Sequence, residues 1–327
     1  MATEPLAEPA ALQGPAGWEE EAEREHVHGM GPWRLGLRRL RRNKVALFFG
    51  GVFVVLVLAC IAAPIWADKV AKTTAEENHL SDTIKVDGKT VNVVALDGVP
   101  IGPQYLKADG EFFLGADPNG RDIMVRLLYG GRNSLMIGVL AALITTILSI
   151  ALGVISGYYR GWSDSVIRAL LDVLWSFPVI ILGVALGVAL ALGGLKLGPI
   201  TISGDSLAIP IVIIGVVYIP YMARPIRGQV LSLREKEFVE AARAQGAGSL
   251  RIMFSEVVPN LSSTILVFFT LLIANAILLE SALSFLGAGV RPPNPSWGTM
   301  IDDGVERIAT APHLTIVPGL MLSLIHI

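Results

Sequence analysis

Long stretches without a single Asp, Glu, Lys or Arg punctuate this chain. They run over Val45–Ala67, Asn133–Tyr159, Val173–Leu195, Ser206–Ala223 and Val257–Leu279, the last resuming after Glu280 as far as Val290. A bilayer core of about 30 Å needs roughly 20 apolar helical residues, so each run predicts a membrane-crossing helix. The third helix is expected to begin earlier, near Val166. A sixth apolar run follows Arg307, with Pro312, His313 and Pro318 at its start and Ile327 at its end. Counted from Pro312 it is too short to cross and leave by a polar exit, and Ser323–Ile327 reads as a truncated or altered end. Pro178 predicts a kink in the third span, and Pro210 and Pro220 predict kinks in the fourth. Gly153, Gly157, Gly183 and Gly187 allow helices to approach closely. The first apolar run begins at residue 45, too far in for a cleaved signal, and reads as a retained anchor.

Composition sharpens this picture. Apolar residues make up 53% of the 327 and charged residues 17%, against roughly 25% in soluble domains. The mean hydropathy is +0.60. A water-soluble globule of this size could not hide so much apolar surface. The net charge of -2 gives no reason to expect nucleic acid as a partner. Cys60 is the only cysteine, which excludes an intrachain disulfide and a cysteine-built metal site.

Charge then sets orientation. Arg34, Arg38, Arg39, Arg41, Arg42 and Lys44 precede the first span and place the N-terminus in the cytoplasm. Arg160 and Arg168 between spans two and three agree, as do the many basic residues between spans four and five. Residues 1–33 are acidic and predict a disordered cytoplasmic tail. There, His26 and His28 read either as a metal pair or as two solvated side chains. Residues 34–67 are the basic segment with span one. Residues 68–132 form a long extracytoplasmic loop, in which Asp87-Gly88 between β-branched residues signals a hairpin. A small β element and a mobile loop both fit. Residues 133–327 make the core of spans two to six, with a cytoplasmic loop at 224–260.

That loop carries the strongest local signal. Leu231–Gly248 is rich in helix formers. Phe238, Ala241, Ala242 and Gln245 fall on one helical face. Two alanines there let another surface come close, and Gly246 and Gly248 permit a sharp break. The pattern reads as a docking helix or as an ordinary amphipathic loop helix. Intramembrane polar residues come next. Glu280 reads either as part of a translocation path or inter-span polar contact, or as a partly hydrated anchor near the outer interface. Asn275 is placed in its network. Asp172 is four residues from Arg168 and is expected to pair with it.

Glu240-Ala241-Ala242, then Gly246, then Pro259, resembles the EAA motif of ABC importer permeases. Glu256 departs from the apolar residue found there in some members. Leu114–Asp122 with Arg126–Gly130, Asp172–Pro178, Glu280–Gly287 and Pro292–Gly298 are similar to segments of the dipeptide, oligopeptide and nickel permeases. The likeness covers about residues 34–322. The family's Gly-Asp-x-Leu-Arg-Asp-like C-terminal segment is absent.

The resemblance implies a six-span permease bundle in a bacterial or archaeal cytoplasmic membrane. It would form half of a pathway for short peptides, nickel complexes or other small solutes. It implies a second homologous permease, two cytoplasmic ATPases that hold ATP and Mg, and an extracytoplasmic binding protein. Glu240, Ala241, Ala242, Gly246 and Pro259 would form the coupling loop that docks on an ATPase. The chain has no GxxxxGK[ST] loop to cradle ATP phosphates, so the energy is expected to come from those partners. A secondary transporter is the main rival, but no internal repeat is visible. A membrane-embedded enzyme would need a catalytic set inside the bilayer, and none of the five histidines is central to spans one to five.

Overall fold

The computed structural model describes residues 41–86, 89–105 and 110–326. The acidic tail, His26, His28, the basic residues before Arg41 and the Asp87-Gly88 turn lie outside the described residues. The chain divides into two compact units, Met1–Gly51 and Val52–Ile327. In the first, Asn43 caps the opening of helix α1 (Lys44–Ile61), its Oδ1 accepting from the Ala46 N–H at 3.1 Å.

The second unit is mainly helical. Helix α2 (Ile123–Tyr159) is followed by α3 (Gly161–Trp175), α4 (Val179–Gly193), α5 (Ala208–Val217) and α6 (Ile219–Leu233). Then come the short α7 (Glu237–Ala244), α8 (Ser262–Phe285), α9 (Trp297–Val305) and α10 (His313–His326). Among the described residues, four helices are long and apolar enough to cross a membrane: α1, α2, α5 with α6 as Ala208–Leu233, and α8. The α3–α4 pair makes a fifth if counted as one span, bent by 87°.

The apolar runs marked these helices, but their ends follow capping and proline chemistry. Helix α2 starts ten residues before the charge-free run, at a cap where Asp122 Oδ1 accepts the Val125 N–H at 3.0 Å. Its 37 residues extend about 55 Å at 1.5 Å each. That exceeds a bilayer core, so the first turns, carrying Arg126 and Arg132, need not lie in lipid. The bend expected at Pro178 divides α3 from α4. The fourth span breaks at Tyr218, just ahead of Pro220. Thr145 and Ser149 of α2 donate to the Gly215 and Ile219 carbonyls on either side of that break, at 2.8 and 3.0 Å. The fifth span opens with a wide turn over Ile252–Val257, where the Val258 N–H reaches back five residues to Met253 O. Pro259 has no N–H to offer, so the regular ladder resumes only at Ser262. Helix α10 has 14 residues with Pro318 inside it, about 21 Å of rise.

Helix α2 is the central post and packs against α5, α6 and α8. A Cβ on Gly153 would come within 2.7 Å of Ile226, and one on Gly157 within 2.7 Å of Val230. These glycines therefore set how closely α2 and α6 approach.

The segment between α1 and α2 has its own small core of Ile84, Val93, Phe112 and Ala116. Its strands β1 (Thr83–Val86) and β2 (Lys89–Asn92) pair antiparallel, with Val86 opposite Lys89. Of the two readings for this loop, the described residues form the β element. A second hairpin, β3 (Leu195–Leu197) with β4 (Ile200–Ile202), follows α4 and was not anticipated. Gly198, with a φ of 60°, opens its turn.

Candidate functional site

Helix α7 has two different sides. Val239 is fully buried, and Ala242 and Ala247 pack beside it. They touch one cluster that joins Val154 and Tyr158 of α2, Met222, Ile226 and Val230 of α6, and Leu272 of α8. On the other side Phe238, Glu240, Ala241 and Gln245 are exposed. The expected face is thus split. Phe238, Ala241 and Gln245 point away from the bundle, while Ala242 turns half inward with Val239. Four residues at helical spacing define a stripe but not the angle at which it meets the core.

The end of α7 is fixed by its backbone. Gly246 has a φ of 82°, its N–H bonds Arg243 O at 3.0 Å, and the Ala247 N–H bonds Ala242 O at 3.0 Å. This paired closure needs a left-handed residue, which glycine adopts without a Cβ clash. Two further ties hold the loop to the end of α2: Arg160 meets Glu235 at 2.5 Å, and Arg234 donates to the Tyr158 carbonyl. Pro259 lies exposed at the start of the fifth span. Leu250 and Phe254, which the sequence reading did not single out, are also exposed beside this loop, and large apolar type was their only signal.

Within the bundle, Glu280 is fully buried. Ser134 Oγ of α2 donates to its Oε2 at 2.7 Å, and Ser284 Oγ donates to its Oε1 at 2.7 Å. Ser281 adds a longer contact at 3.4 Å. Ser284 in turn accepts the Val290 N–H at 2.9 Å, tying α8 to the loop that follows it. Of the two readings for Glu280, this is the inter-span polar contact, not a hydrated anchor. Asn275 does not join the cage. Its side chain donates to Leu271 O of its own helix at 2.9 Å, because five residues turn it away from Glu280.

Asp172 also departs from expectation. Its partner is Arg224 of α6 at 2.6 Å, and Arg224 lies over the Trp175 ring at 5.1 Å. Arg168 instead reaches back to Asp164 at 3.3 Å. Asp164 is the better buried acid and accepts from Ser156 at 2.5 Å and from Arg227 at 2.6 and 2.8 Å. The i, i+4 rule admitted both spacings of Arg168, and the cations of α6 decided between them.

The segment ahead of α2 is a charged clamp. Asp117 pairs with Arg121 at 2.6 Å and with Arg126 at 3.4 Å, and both arginines reach Asp303 of α9. Arg126, almost fully buried, also donates to Ala75 O at 3.1 Å. Burial pushes the Asp122 carboxyl above its ordinary value, against the pull of the Val125 and Phe112 N–H groups.

Apolar helices of crossing length, packed through serine–carboxylate and glycine contacts, define a polytopic membrane protein. Residues 149–327 match the model of the binding-protein-dependent transport system inner membrane component, and residues 31–80 that of the N-terminal TM domain of oligopeptide transport permease C. The glutathione transport system permease protein GsiD of Pectobacterium atrosepticum is 34% identical over 293 residues, 90% of this chain and 85% of that one. The dipeptide transport system permease protein DppC of Alkalihalophilus pseudofirmus is 33% identical over 294 residues, 90% of this chain and 84% of that one. In fold, the chain is similar to one from the inward-facing MetNI methionine ABC transporter, with a TM-score of 0.52 over 62% of this chain and 91% of that one at 18% identity. The chain belongs to the binding-protein-dependent transport system inner-membrane component family. It is therefore a permease subunit of an ABC importer. The family implies ATPase, substrate-binding and second-permease partners.

Proposed function

We propose that this chain forms half of an ATP-driven import pathway for short peptides or related small solutes. The names of its relatives, a glutathione and a dipeptide permease, support that substrate class. In this reading α1, α2, α3 with α4, α5 with α6, α8 and α10 are six spans, the last of them short. The basic residues before α1 keep the N-terminus and its acidic tail in the cytoplasm, and the 68–132 segment faces outward. A second homologous permease completes the pathway, lipid surrounds it, and an extracytoplasmic binding protein delivers the solute. ATP and Mg belong to two ATPase subunits, and this chain binds neither.

Helix α7 is the coupling element in this scheme. The observation that supports it is its two-sidedness: Val239 and Ala242 join the buried cluster, while Phe238, Ala241 and Gln245 stay bare. A lever needs a rigid root and a bare contact face. Glu240 and Ala241 would meet the ATPase, Ala242 would transmit the motion, Gly246 would fix the turn, and Pro259 would set the start of the driven span. Asp172, largely exposed beside the Pro178 bend, and Asn275 are the candidates for lining the pathway. Glu280 acts as an inter-span tie.

The test is ATP-driven uptake by the reconstituted importer. Gly246→Pro and Glu240→Arg should abolish coupled uptake while the chain still inserts. Ala241→Cys should crosslink to an ATPase subunit. Unchanged uptake in both variants, or crosslinking only to extracytoplasmic proteins, would remove the lever role.

A further inference from the structure

A concave site lies in the segment between α1 and α2, apart from the coupling loop and the Glu280 cage. It is a cavity of about 480 Å3, within the size range of small-molecule sites. Its lining includes Lys72, Thr73, His79, Asp82, Glu111, Phe112 and Asp122. A hydrogen-bonded chain organises its wall. His79 Nδ1 lies 2.7 Å from Asp82 Oδ2, and His79 Nε2 lies 2.8 Å from Thr73 Oγ1. An ionised carboxylate only accepts, so Nδ1 carries a proton and holds Asp82 in place. The Phe112 ring stands edge-on to the imidazole, with centroids 5.7 Å apart at 89°.

The backbone of this wall is held in sparsely populated conformations. Lys72 has a φ of 53° and Phe112 a φ of 50°, and both face the same cavity. Such residues persist only where surrounding contacts over-determine them. Phe112 is one such case, being buried and donating its N–H to Asp122 Oδ2 at 2.8 Å. Lys72 closes the Ala67–Ala71 helical turn, its N–H on Ala67 O, so each of the two residues is held by a backbone contact.

Its charged lining is one lysine, Lys72, and three carboxylates, Asp82, Glu111 and Asp122. Asp122 is buried, and its oxygens accept the Val125 and Phe112 N–H groups. The Asp82 side chain is 61% exposed and within reach of a ligand's cation. Lys72 is exposed and offers the complementary charge. Phe112 adds an apolar ring to the lining, beside His79. We propose that this cavity binds a small zwitterion, of amino-acid to dipeptide size, with Asp82 taking its ammonium group and Lys72 its carboxylate. That the occupant is also the transported solute rests on the function proposed above; the recognition chemistry does not.

Isothermal titration of the purified full chain in detergent tests this, with glycylglycine, N-acetylglycylglycine and glycylglycine amide as probes. Glycylglycine should bind saturably. Each capped probe should bind at least about tenfold more weakly, as expected for loss of a charge-assisted contact. Asp82→Asn should weaken glycylglycine by a similar factor and leave the acetylated probe little changed. Absence of saturable binding, equal affinities for all three probes, or an unaltered Asp82→Asn affinity would overturn the site. The wild-type probe series needs no variant to fold. Peptide uptake by the reconstituted importer is read separately: uptake without this binding rejects the site alone, and binding without uptake rejects the proposed function alone.

Discussion

Arg227 grips the Asp164 carboxylate with two nitrogens, Nε at 2.6 Å and an Nη at 2.8 Å. The contact joins α3 to α6, and Ser156 of α2 completes it from a third helix. A forked guanidinium–carboxylate pair fixes orientation as well as distance. Asp164 is nearly buried, so removing it leaves Arg227 without its counterpart, whereas removing Arg227 leaves Asp164 with the longer Arg168 contact at 3.3 Å. Asp164→Ala should lower the stability of the detergent-solubilised chain by about 3 kcal/mol. Arg227→Met should cost less, because Arg168 still faces Asp164, and the double variant should cost less than the sum. Thermal unfolding of the four proteins checks this, and strict additivity would mean the pair contributes no coupling.

The Glu280 cage makes a different prediction. Its described hydrogen-bond partners are hydroxyls, so in a Gln variant one can donate to the amide oxygen while another turns to accept from the amide NH2. Glu280→Gln should therefore keep the α2–α8 tie and cost about 1 kcal/mol or less. Glu280→Leu strands the Ser134 and Ser284 hydroxyls in a buried site and should cost about 2–3 kcal/mol. If Glu280 is a tie and not a carrier of charge, uptake by Glu280→Gln should remain near the parent level. Near-normal stability with abolished uptake would move Glu280 into the pathway.

Close packing of α2 on α6 can be tested at Gly153. An added Cβ would lie 2.7 Å from an Ile226 methyl and 2.9 Å from the Ala223 carbonyl, and the backbone cannot move aside as a side chain would. Gly153→Ala should cost about 1–3 kcal/mol through overpacking. Gly228 has open space around the same construction and should tolerate alanine. Equal melting temperatures for the two variants would show that α2 and α6 separate freely.

These sites differ in how far the sequence discloses them. Crossing helices are legible because lipid excludes charge, so Val45–Ala67 and Asn133–Tyr159 announce themselves. Their ends are less so. Helix α2 begins at the Asp122 cap, and a helix longer than the bilayer has room to carry Arg126 and Arg132 outside it. Tertiary pairing is least legible. Asp172 and Asp164 are each four residues from Arg168, and only the positions of Arg224 and Arg227 on α6 separate them. The likeness of Glu240–Gly246 to a family motif located the loop, but not which alanine turns inward.

The two sides of α7 allow a test that separates docking from transmission. Phe238 is 38% exposed and Val239 fully buried, although they are adjacent. Phe238→Ala removes contact area from the bare face and should leave stability within about 0.5 kcal/mol. It should lower the crosslinking of Ala241→Cys to an ATPase and lower uptake in proportion. Val239→Ala removes two methyl carbons from the cluster joining α2, α6 and α8, and should cost about 1–2 kcal/mol. Crosslinking should survive that change, because the bare face is intact. Uptake per ATP hydrolysed should fall, because the root of the lever has loosened. A Phe238→Ala variant with unchanged crosslinking and uptake would show that this face does not meet the ATPase. A Val239→Ala variant with undiminished uptake per ATP would show that motion reaches the spans by another route.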